Sequence, residues 1–376
     1  MKKFLFIILL IPLFYKAQDS LYTRKVLNTL CSKELAGRGY VNNGLEKAVK
    51  FISSELKKNK IDFFYQPFEM NVNTFPGKME VKINGKELTP GIDFIAAPYS
   101  LGLKKHCSLF IKKDSVSFIS NEIPFLLSCK RKLTFSVADG YKEYSEIELL
   151  DTSNRFKEIK TAEVNIENKF ITNFPCKNII ASINGTEKSD SVIMFTAHYD
   201  HLGMMGSKTF FPGANDNASG VSMLLNLIKY YKQYPSKHKI LFVFFAGEEA
   251  GLLGSNYFVE HSPIDLKKIK FLINLDLLGT GNEGITVVNA TEFKPQFELL
   301  KKINAEKNYL PLVKPRGKAH NSDHYYFTEK GVPSFFIYTM GGIKAYHDVY
   351  DKPETLPLTK YKEVFHLLID FVGQIN

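Results

Sequence analysis

Several features are scarce in this sequence of 376 residues, and each scarcity excludes a class of protein. There are only four cysteines, and none has the Cys-x-x-Cys spacing of a thiolate metal site. The sequence has no internal repeat and no low-complexity tract, and 44% hydrophobic with 23% charged residues is ordinary for a globular protein. Disordered, collagen-like and coiled-coil chains are therefore excluded.

The apolar run near the N-terminus is also short. It covers residues 4–15, whereas a membrane-spanning helix needs about 20 apolar residues. The run follows Lys2 and Lys3 and precedes the small Ala17, an order typical of a secretory signal peptide. We predict a signal peptide over residues 1–17, no stable membrane anchor after its cleavage, and a secreted or periplasmic mature protein.

Acidic residues are fewer than basic ones, 39 against 49, which gives a formal net charge of +10. Removal of residues 1–17, which hold three lysines and no acid, lowers this charge to +7. The remaining lysines are spread along the chain without a basic patch interleaved with aromatic residues. We therefore predict no nucleic-acid partner.

The four cysteines leave two interpretations open. An exported chain meets oxidising conditions, which permit disulfides with three possible pairings. Free buried thiols are the other interpretation. The residues concerned are Cys31, Cys107, Cys129 and Cys176.

The N-terminal half changes character along its length. Leu45, Val49 and Ile52 lie on one stripe of residues 41–60, a spacing that predicts an amphipathic helix. Turn residues then separate short β-type runs, which predict a β-rich insert or lid over residues 79–170. These runs are 79–83, 108–111, 132–137 and 147–150.

From about residue 178 onward, apolar strand-like runs alternate with helical patterns. The predicted strands are 192–197, 239–246, 269–275 and 334–338, and the predicted helices are 219–231, 250–260 and 360–375. This alternation predicts an α/β fold with a mixed, mostly parallel central sheet flanked by helices.

Histidine and acidic residues cluster where the predicted strands end. In open α/β sheets, ligands bind beyond the carboxyl ends of the strands. Nitrogen and oxygen ligands without a thiolate suit zinc, and cobalt or manganese are the alternatives. The sequence therefore predicts a metal site at this sheet edge. The clusters are His198-Tyr199-Asp200-His201, Gly213-Ala214-Asn215-Asp216-Asn217, Glu248-Glu249, Asp276 and His347.

Six ordered motifs in these segments resemble the co-catalytic zinc aminopeptidase family (metallopeptidase family twenty-eight, the bacterial leucyl aminopeptidase type). A seventh segment, ELAGRGY at 34–40, resembles the usual opening of that family. The resemblance covers residues 30–60 and 178–376 and leaves 79–170 uncovered. The six motifs are TAHYDHLG at 196–203, GANDNASGV at 213–221, FAGEEAGLLGS at 245–255, NLDLLG at 274–279, SDHYYF at 322–327 and YHDVYDKPETL at 346–356.

The resemblance implies a zinc exopeptidase-like catalytic domain formed by residues 18–78 and 171–376. It implies two Zn²⁺ ions per chain, bridged by Asp216. One ion would be bound by Asp216, Glu249 and His347, and the other by His198, Asp216 and Asp276. The substrates implied are peptides with a free N-terminus.

The resemblance also implies two catalytic roles. Glu248 would be the general base that takes a proton from the attacking water. Asp200 would hydrogen-bond the imidazole of His198 and fix its tautomer. The family usually has a cis peptide bond after the bridging aspartate, here Asp216.

Other interpretations remain open. A glutaminyl cyclase is a single-zinc relative, and a metal-binding module without catalysis belongs to a different functional class. Carboxypeptidase or dipeptidase specificity is also compatible with the metal motifs. Helix capping by Ser322 or Asp323 explains their motif as well as a catalytic role does.

Overall fold

A computed structural model describes residues 19–375, so the predicted signal peptide over residues 1–17 lies outside the described part of the chain. Seven α-helices occur in that part. They are α1 (Ser20–Leu30), α2 (Gly44–Lys58), α3 (Ser219–Gln233), α4 (Leu253–Glu260), α5 (Lys294–Lys307), α6 (His324–Glu329) and α7 (Tyr361–Gln374).

Nineteen strands occur in the same range. The first ten are β1 (Asp62–Thr74), β2 (Met79–Ile83), β3 (Lys86–Leu88), β4 (Phe94–Ala96), β5 (Leu103–Cys107), β6 (Phe110–Lys112), β7 (Ser117–Ser120), β8 (Phe125–Lys130), β9 (Ser145–Leu150) and β10 (Ala162–Ile166). The others are β11 (Lys169–Ile183), β12 (Val192–His198), β13 (Met204–Met205), β14 (Thr209–Phe210), β15 (Lys239–Phe245), β16 (Ile269–Leu275), β17 (Gly284–Val288), β18 (Val313–Pro315) and β19 (Ser334–Met340).

Eight strands form a mixed central sheet in the order β1-β11-β15-β12-β16-β19-β17-β18. The four inner strands β15, β12, β16 and β19 are parallel to one another. The outer strands add antiparallel pairs, such as β1 with β11 and β17 with β19. Parallel strands covered on both faces carry continuous apolar runs, as β12 and β15 do. The predicted α/β class with a mixed, mostly parallel sheet is confirmed.

Helices pack on the sheet through apolar stripes. Helix α2 is slightly shorter than the predicted 41–60 and buries Leu45, Val49 and Ile52, three residues of the predicted stripe. Helix α4 begins at Leu253 rather than at residue 250. The backbone of Leu252 has a left-handed φ of 60°, so the helix cannot extend back into the preceding turn.

The strands between residues 79 and 166 form two smaller sheets, ordered β3-β2-β10-β5 and β4-β9-β8-β7-β6. They share an apolar core that includes Phe94, Phe125 and Leu127. One predicted strand here was wrong, because residues 132–137 pair with no neighbouring strand. Instead, the backbone of Phe135 hydrogen-bonds to His347, in a distant loop. The boundaries 79–170 stay a prediction, and we call this segment the insert.

Within residues 19–375 the four cysteines are free thiols, and three of them are buried. The sequence left disulfides and free thiols open, and the structure shows free thiols. No helix in the described range combines the length and the apolar character needed to cross a membrane.

Candidate metal centre

The predicted metal ligands lie together beyond the carboxyl ends of the parallel strands. His198 is the last residue of β12, and Asp276 directly follows β16. Glu249 lies in the turn after β15, and His347 lies in the loop after β19. Asp216 precedes α3, whose N-terminus points to the same edge. The parallel strands therefore bring ligands that are up to 149 positions apart in the chain to the same edge of the sheet.

Asp216 lies between two groups of side chains and faces each with a different oxygen. Its Oδ1 is 3.3 Å from Nε2 of His198, which is also 3.4 Å from Oδ2 of Asp276. Its Oδ2 is 3.1 Å from Nε2 of His347, which is 3.2 Å from Oε2 of Glu249. The five residues thus form two ligand triads that share one carboxylate.

Two observations show that the two triads fit zinc. Ligands about 2.0–2.1 Å from a tetrahedral zinc ion are about 3.3 Å from one another, which matches the separations around Asp216. In addition, Nε2 of His198 and Oδ1 of Asp276 are buried without a hydrogen-bond partner among the described residues. Buried polar atoms normally have a partner, and a cation between them would supply it.

The pKa values reflect a surplus of acids in this site. Burial alone would raise the pKa of Asp216, but the imidazoles of His198 and His347 hold it well below its ordinary value. Burial would lower the pKa of His347, but Glu249 and Asp216 raise it to about 11. The carboxylates therefore favour positive charge at the centre of the site. A divalent cation would supply that charge.

A buried arginine holds the loops that carry the ligands. Arg38 is fully buried, and no salt bridge pairs it with a carboxylate among the residues described. Its donors lie 2.7–3.2 Å from five acceptors, four of which belong to the chain segments around His198 and Asp216 and one to the end of α1. The acceptors are the backbone carbonyls of Leu30, Tyr199, Pro212, Gly213 and Asp216.

The backbone of Asp216 is fixed from a second side. The carboxylate of Asp351 accepts hydrogen bonds from the N–H groups of Asn215 and Asp216 at 2.8–3.0 Å. Gly213 adopts a φ of 61°, and a Cβ there would overlap His201 and the backbone of Asp216. The peptide bond after Asp216 is cis, as the resemblance implies.

The structure gives Asp200 a different contact from the predicted one. Its Oδ1 lies 3.8 Å from Nδ1 of His198, beyond hydrogen-bond distance, and Nδ1 instead lies 3.2 Å from the backbone carbonyl of Asp200. The carboxylate accepts from the hydroxyl of Tyr40 at 2.7 Å and from the N–H groups of Glu248 and Glu249 at 3.2 and 3.3 Å. Asp200 therefore holds the turn that presents the two glutamates.

Sequence reasoning gave His201 no role, although it lies in the same tetrapeptide as His198. The ring is fully buried, and Nδ1 lies 2.6 Å from Oε1 of Glu249. Atoms of His201, Asp216 and Glu249 lie within 4.8 Å of one another. The spacing of two histidines three residues apart beside a strand end was the available signal.

The capping interpretation of Ser322 and Asp323 was wrong. Asp323 precedes α6 but makes no side-chain cap, and both of its buried oxygens lack a hydrogen-bond partner in the range 19–375. Ser322 donates to Oδ2 of Asp276 at 3.3 Å and accepts from Asn274 at 2.7 Å. Ser322 therefore orients a predicted metal ligand, which sequence spacing did not reveal because the contact spans 46 residues.

Comparisons with known proteins show what this chain is similar to. The chain is 35% identical over 178 residues to aminopeptidase YwaD of Bacillus subtilis (strain 168), an alignment that covers 46% of this chain and 37% of that protein. Among the first curated relatives, the matched segments span 33–48% of the relative's length.

Solved structures share the fold over nearly the whole chain. BSAP, a zinc aminopeptidase from Bacillus subtilis, has a TM-score of 0.72 at 20% identity, with 95% of each chain covered. A peptidase M28 precursor from Shewanella amazonensis SB2B has a TM-score of 0.76 at 16% identity, with 96% of this chain and 94% of that chain covered.

The sequence model of peptidase family M28 matches residues 178–372. That range is just over half of the chain and contains every residue of the two triads. The family predicted from the six motifs is confirmed, and this chain belongs to peptidase family M28.

Proposed function

We propose that the protein is a two-zinc aminopeptidase that hydrolyses the N-terminal bond of peptides. The observation that carries this proposal is the position of Asp216, whose two oxygens face two separate triads. One zinc position would be formed by Asp216, Glu249 and His347. The other would be formed by His198, Asp216 and Asp276. The relatives named as aminopeptidases and zinc metalloproteases support the class of reaction and the metal.

The donor set suits zinc because it consists of imidazole nitrogens and carboxylate oxygens, with three protein ligands for each position. When bound, zinc would supply the positive charge that polarises the scissile carbonyl and lowers the pKa of a bound water molecule. The contribution of the chain is to hold the ligand atoms and to supply a base beside them.

Glu248 is the residue that we assign as general base. Burial raises its pKa well above the ordinary value for a glutamate, which suits a group that takes up a proton near neutral pH. Its backbone N–H donates to Asp200, as does that of Glu249, so one turn fixes both glutamates. Glu249 faces the triad of His347, which leaves Glu248 free to accept the proton of the attacking water and pass it to the leaving amine.

A glutaminyl cyclase is the second candidate. That reaction would need a single zinc position, whereas His198 and Asp276 complete a second triad here. The complete pair of triads, together with Glu248, favours the hydrolase over both the cyclase and a binding module without catalysis.

The function is tested with two measurements on the purified protein. Elemental analysis should give about two zinc ions per chain, because paired sites bind two metals. A panel of peptides with free and with blocked N-termini, followed by mass spectrometry, should show removal of residues only from free N-termini. Cleavage of blocked peptides would contradict an aminopeptidase, and cyclisation of N-terminal glutamine without hydrolysis would favour the cyclase.

We also propose that the protein is exported, with residues 1–17 removed, and that residues 18–78 and 171–376 form the catalytic domain. The order of charged, apolar and small residues supports export. N-terminal sequencing of the protein recovered from the periplasm or medium should begin at Gln18. Recovery of the intact N-terminus from the cytoplasm would contradict this.

A further inference from the structure

The insert contacts His347 through two hydrogen bonds, both of them made by the backbone of Phe135. The N–H of Phe135 donates to the carbonyl of His347 at 2.9 Å. Nδ1 of His347 lies 2.9 Å from the carbonyl of Phe135. The two residues are 212 positions apart, and Phe135 lies in the stretch that was wrongly predicted as a strand.

This contact determines which nitrogen of His347 is available to a metal. A neutral imidazole that donates from Nδ1 to a carbonyl has its lone pair on Nε2. Nε2 is the atom that lies 3.1 Å from Asp216 and 3.2 Å from Glu249. The insert therefore orients the ring so that Nε2 faces the other two members of its triad.

Three further contacts, one by Phe135 and two by Lys132, hold this part of the insert against the site. The ring of Phe135 stacks on that of Phe211, with centroids 4.6 Å apart and an interplanar angle of 14°. Phe211 lies five residues before Asp216. Nearby in the insert, Lys132 donates to the carbonyl of Lys344 at 3.0 Å and lies 3.4 Å from Asp348, the neighbour of His347.

His347 needs this support more than the ligands of the other triad do. His198 is the last residue of β12, and Asp276 directly follows β16, so the ladder of the central sheet positions both. His347 lies seven residues after the end of β19 and has a left-handed φ of 53°. Its position is therefore set by loop contacts, of which those to the insert are the closest to the ring.

We propose that residues 132–135 of the insert are a positioning element for His347, and that their contact sets the zinc affinity of the position formed by Asp216, Glu249 and His347. The other zinc position should be insensitive to this contact. The inference rests on the proposed two-zinc function. It gives the insert a role that the family motifs do not contain, because they leave residues 79–170 uncovered.

Two pairs of variants test the inference in the full-length protein. Lys132→Ala is compared with Lys130→Ala, because both lysines are half-exposed and both form a 3.4 Å ion pair, but the partner of Lys130 is Glu148, inside the insert. Phe135→Ala is compared with Phe110→Ala, which removes a ring contact to Phe125 inside the insert.

The readout is stepwise zinc affinity, measured by competition with a chromogenic chelator, together with the thermal unfolding of the zinc-free proteins. Phe135→Ala keeps the backbone carbonyl that faces Nδ1 of His347 but removes the ring stack that holds this carbonyl in place. We expect it to weaken one binding step about tenfold, at the lower end of what loss of a partner behind a metal ligand costs. Lys132→Ala should weaken the same step about fivefold, as loss of a partly exposed ion pair can do. Both controls should bind zinc like the wild type.

Whether Lys132→Ala weakens or tightens zinc binding distinguishes a positioning role of Lys132 from a purely electrostatic effect of its charge. Removal of a positive charge beside a cation site would by itself tighten zinc binding. Unchanged or tighter binding in Lys132→Ala, at an unchanged unfolding temperature, would overturn the inference. Lys132→Ala changes a half-exposed side chain, so it carries the test even if Phe135→Ala does not fold. A wild-type protein that binds fewer than two zinc ions would instead overturn the proposed function, and this is measured first.

Discussion

Nδ1 of His201 lies 2.6 Å from Oε1 of Glu249, while the other oxygen of that glutamate, Oε2, lies 3.2 Å from Nε2 of His347. The two oxygens of one carboxylate therefore have different partners. His201 binds one of them from a fully buried position, and the second is left to face the triad. This contact fixes the rotation of the carboxylate.

We expect His201→Leu to weaken zinc binding about 10–100-fold, because the carboxylate of Glu249 loses the partner that orients it. His201→Asn should retain more of the affinity, since the Asn amide can donate from near the position of Nδ1. Competition with a chelator measures both variants. Equal affinity in the two variants and the wild type would show that His201 has no positioning role.

Glu248 and Glu249 are neighbours with different expected roles, which makes them a matched pair. Glu248→Gln should bind zinc like the wild type but lose about 10²–10⁴-fold in kcat, because the amide cannot accept the proton of the attacking water. Glu249→Gln should lose zinc as well as activity. Zinc content and hydrolysis of an aminoacyl anilide are measured for both. Full turnover by Glu248→Gln would rule out Glu248 as the base.

Arg38→Met should destabilise the protein by about 3 kcal/mol or more, because several buried carbonyls lose a charged donor. Arg24→Met is the control. Arg24 also donates to backbone carbonyls, those of Pro353 and Pro357, but at the surface, and it should cost less than about 1 kcal/mol. Urea unfolding of the zinc-free proteins gives both values. A small effect of Arg38→Met would mean that water replaces the guanidinium.

Acid should destabilise the protein through His324. Burial lowers the pKa of His324 to about 3 in the folded protein, whereas an unfolded histidine titrates near pH 6.5. Between these values the unfolded chain binds the extra proton, so this contribution to stability is present above pH 6.5 and is lost as the pH falls. From pH 7.5 to 5.0 the loss is about 2 kcal/mol.

His324→Leu should remove this part of the pH dependence, measured as the difference between urea midpoints at pH 7.5 and 5.0 in zinc-free protein. His106→Leu, at an exposed position of β5, is the control and should keep the wild-type difference. An unchanged difference in His324→Leu would show that the imidazole is not buried in its neutral form.

The sequence predicted the parts of the fold that depend on local patterns. Apolar runs gave β12, β15 and β16 to within a residue or two, because strands buried on both faces tolerate few polar residues. The bounds of α4 were less accurate, since a left-handed residue at Leu252 ends the preceding turn and leaves no mark in apolar periodicity.

In the site, too, local sequence predicted the residues but not all of their contacts. The predicted ligands follow strand ends, so residue type and position were enough to propose them. Asp200 was predicted to contact His198, yet its carboxylate lies closer to Tyr40. Which acceptor a buried hydroxyl reaches depends on packing, and no spacing rule encodes it.

The sequence by itself determined the family, the strand ends and the residue types that suit a metal, because these follow from short motifs and from apolar periodicity. Only the tertiary structure decided which atoms meet. It placed the two oxygens of Asp216 toward different triads, His201 behind Glu249, and Phe135 of the insert against His347. His201 and Glu249 are 48 positions apart, and Phe135 and His347 are 212 positions apart. Side-chain packing rather than local sequence selects such distant partners.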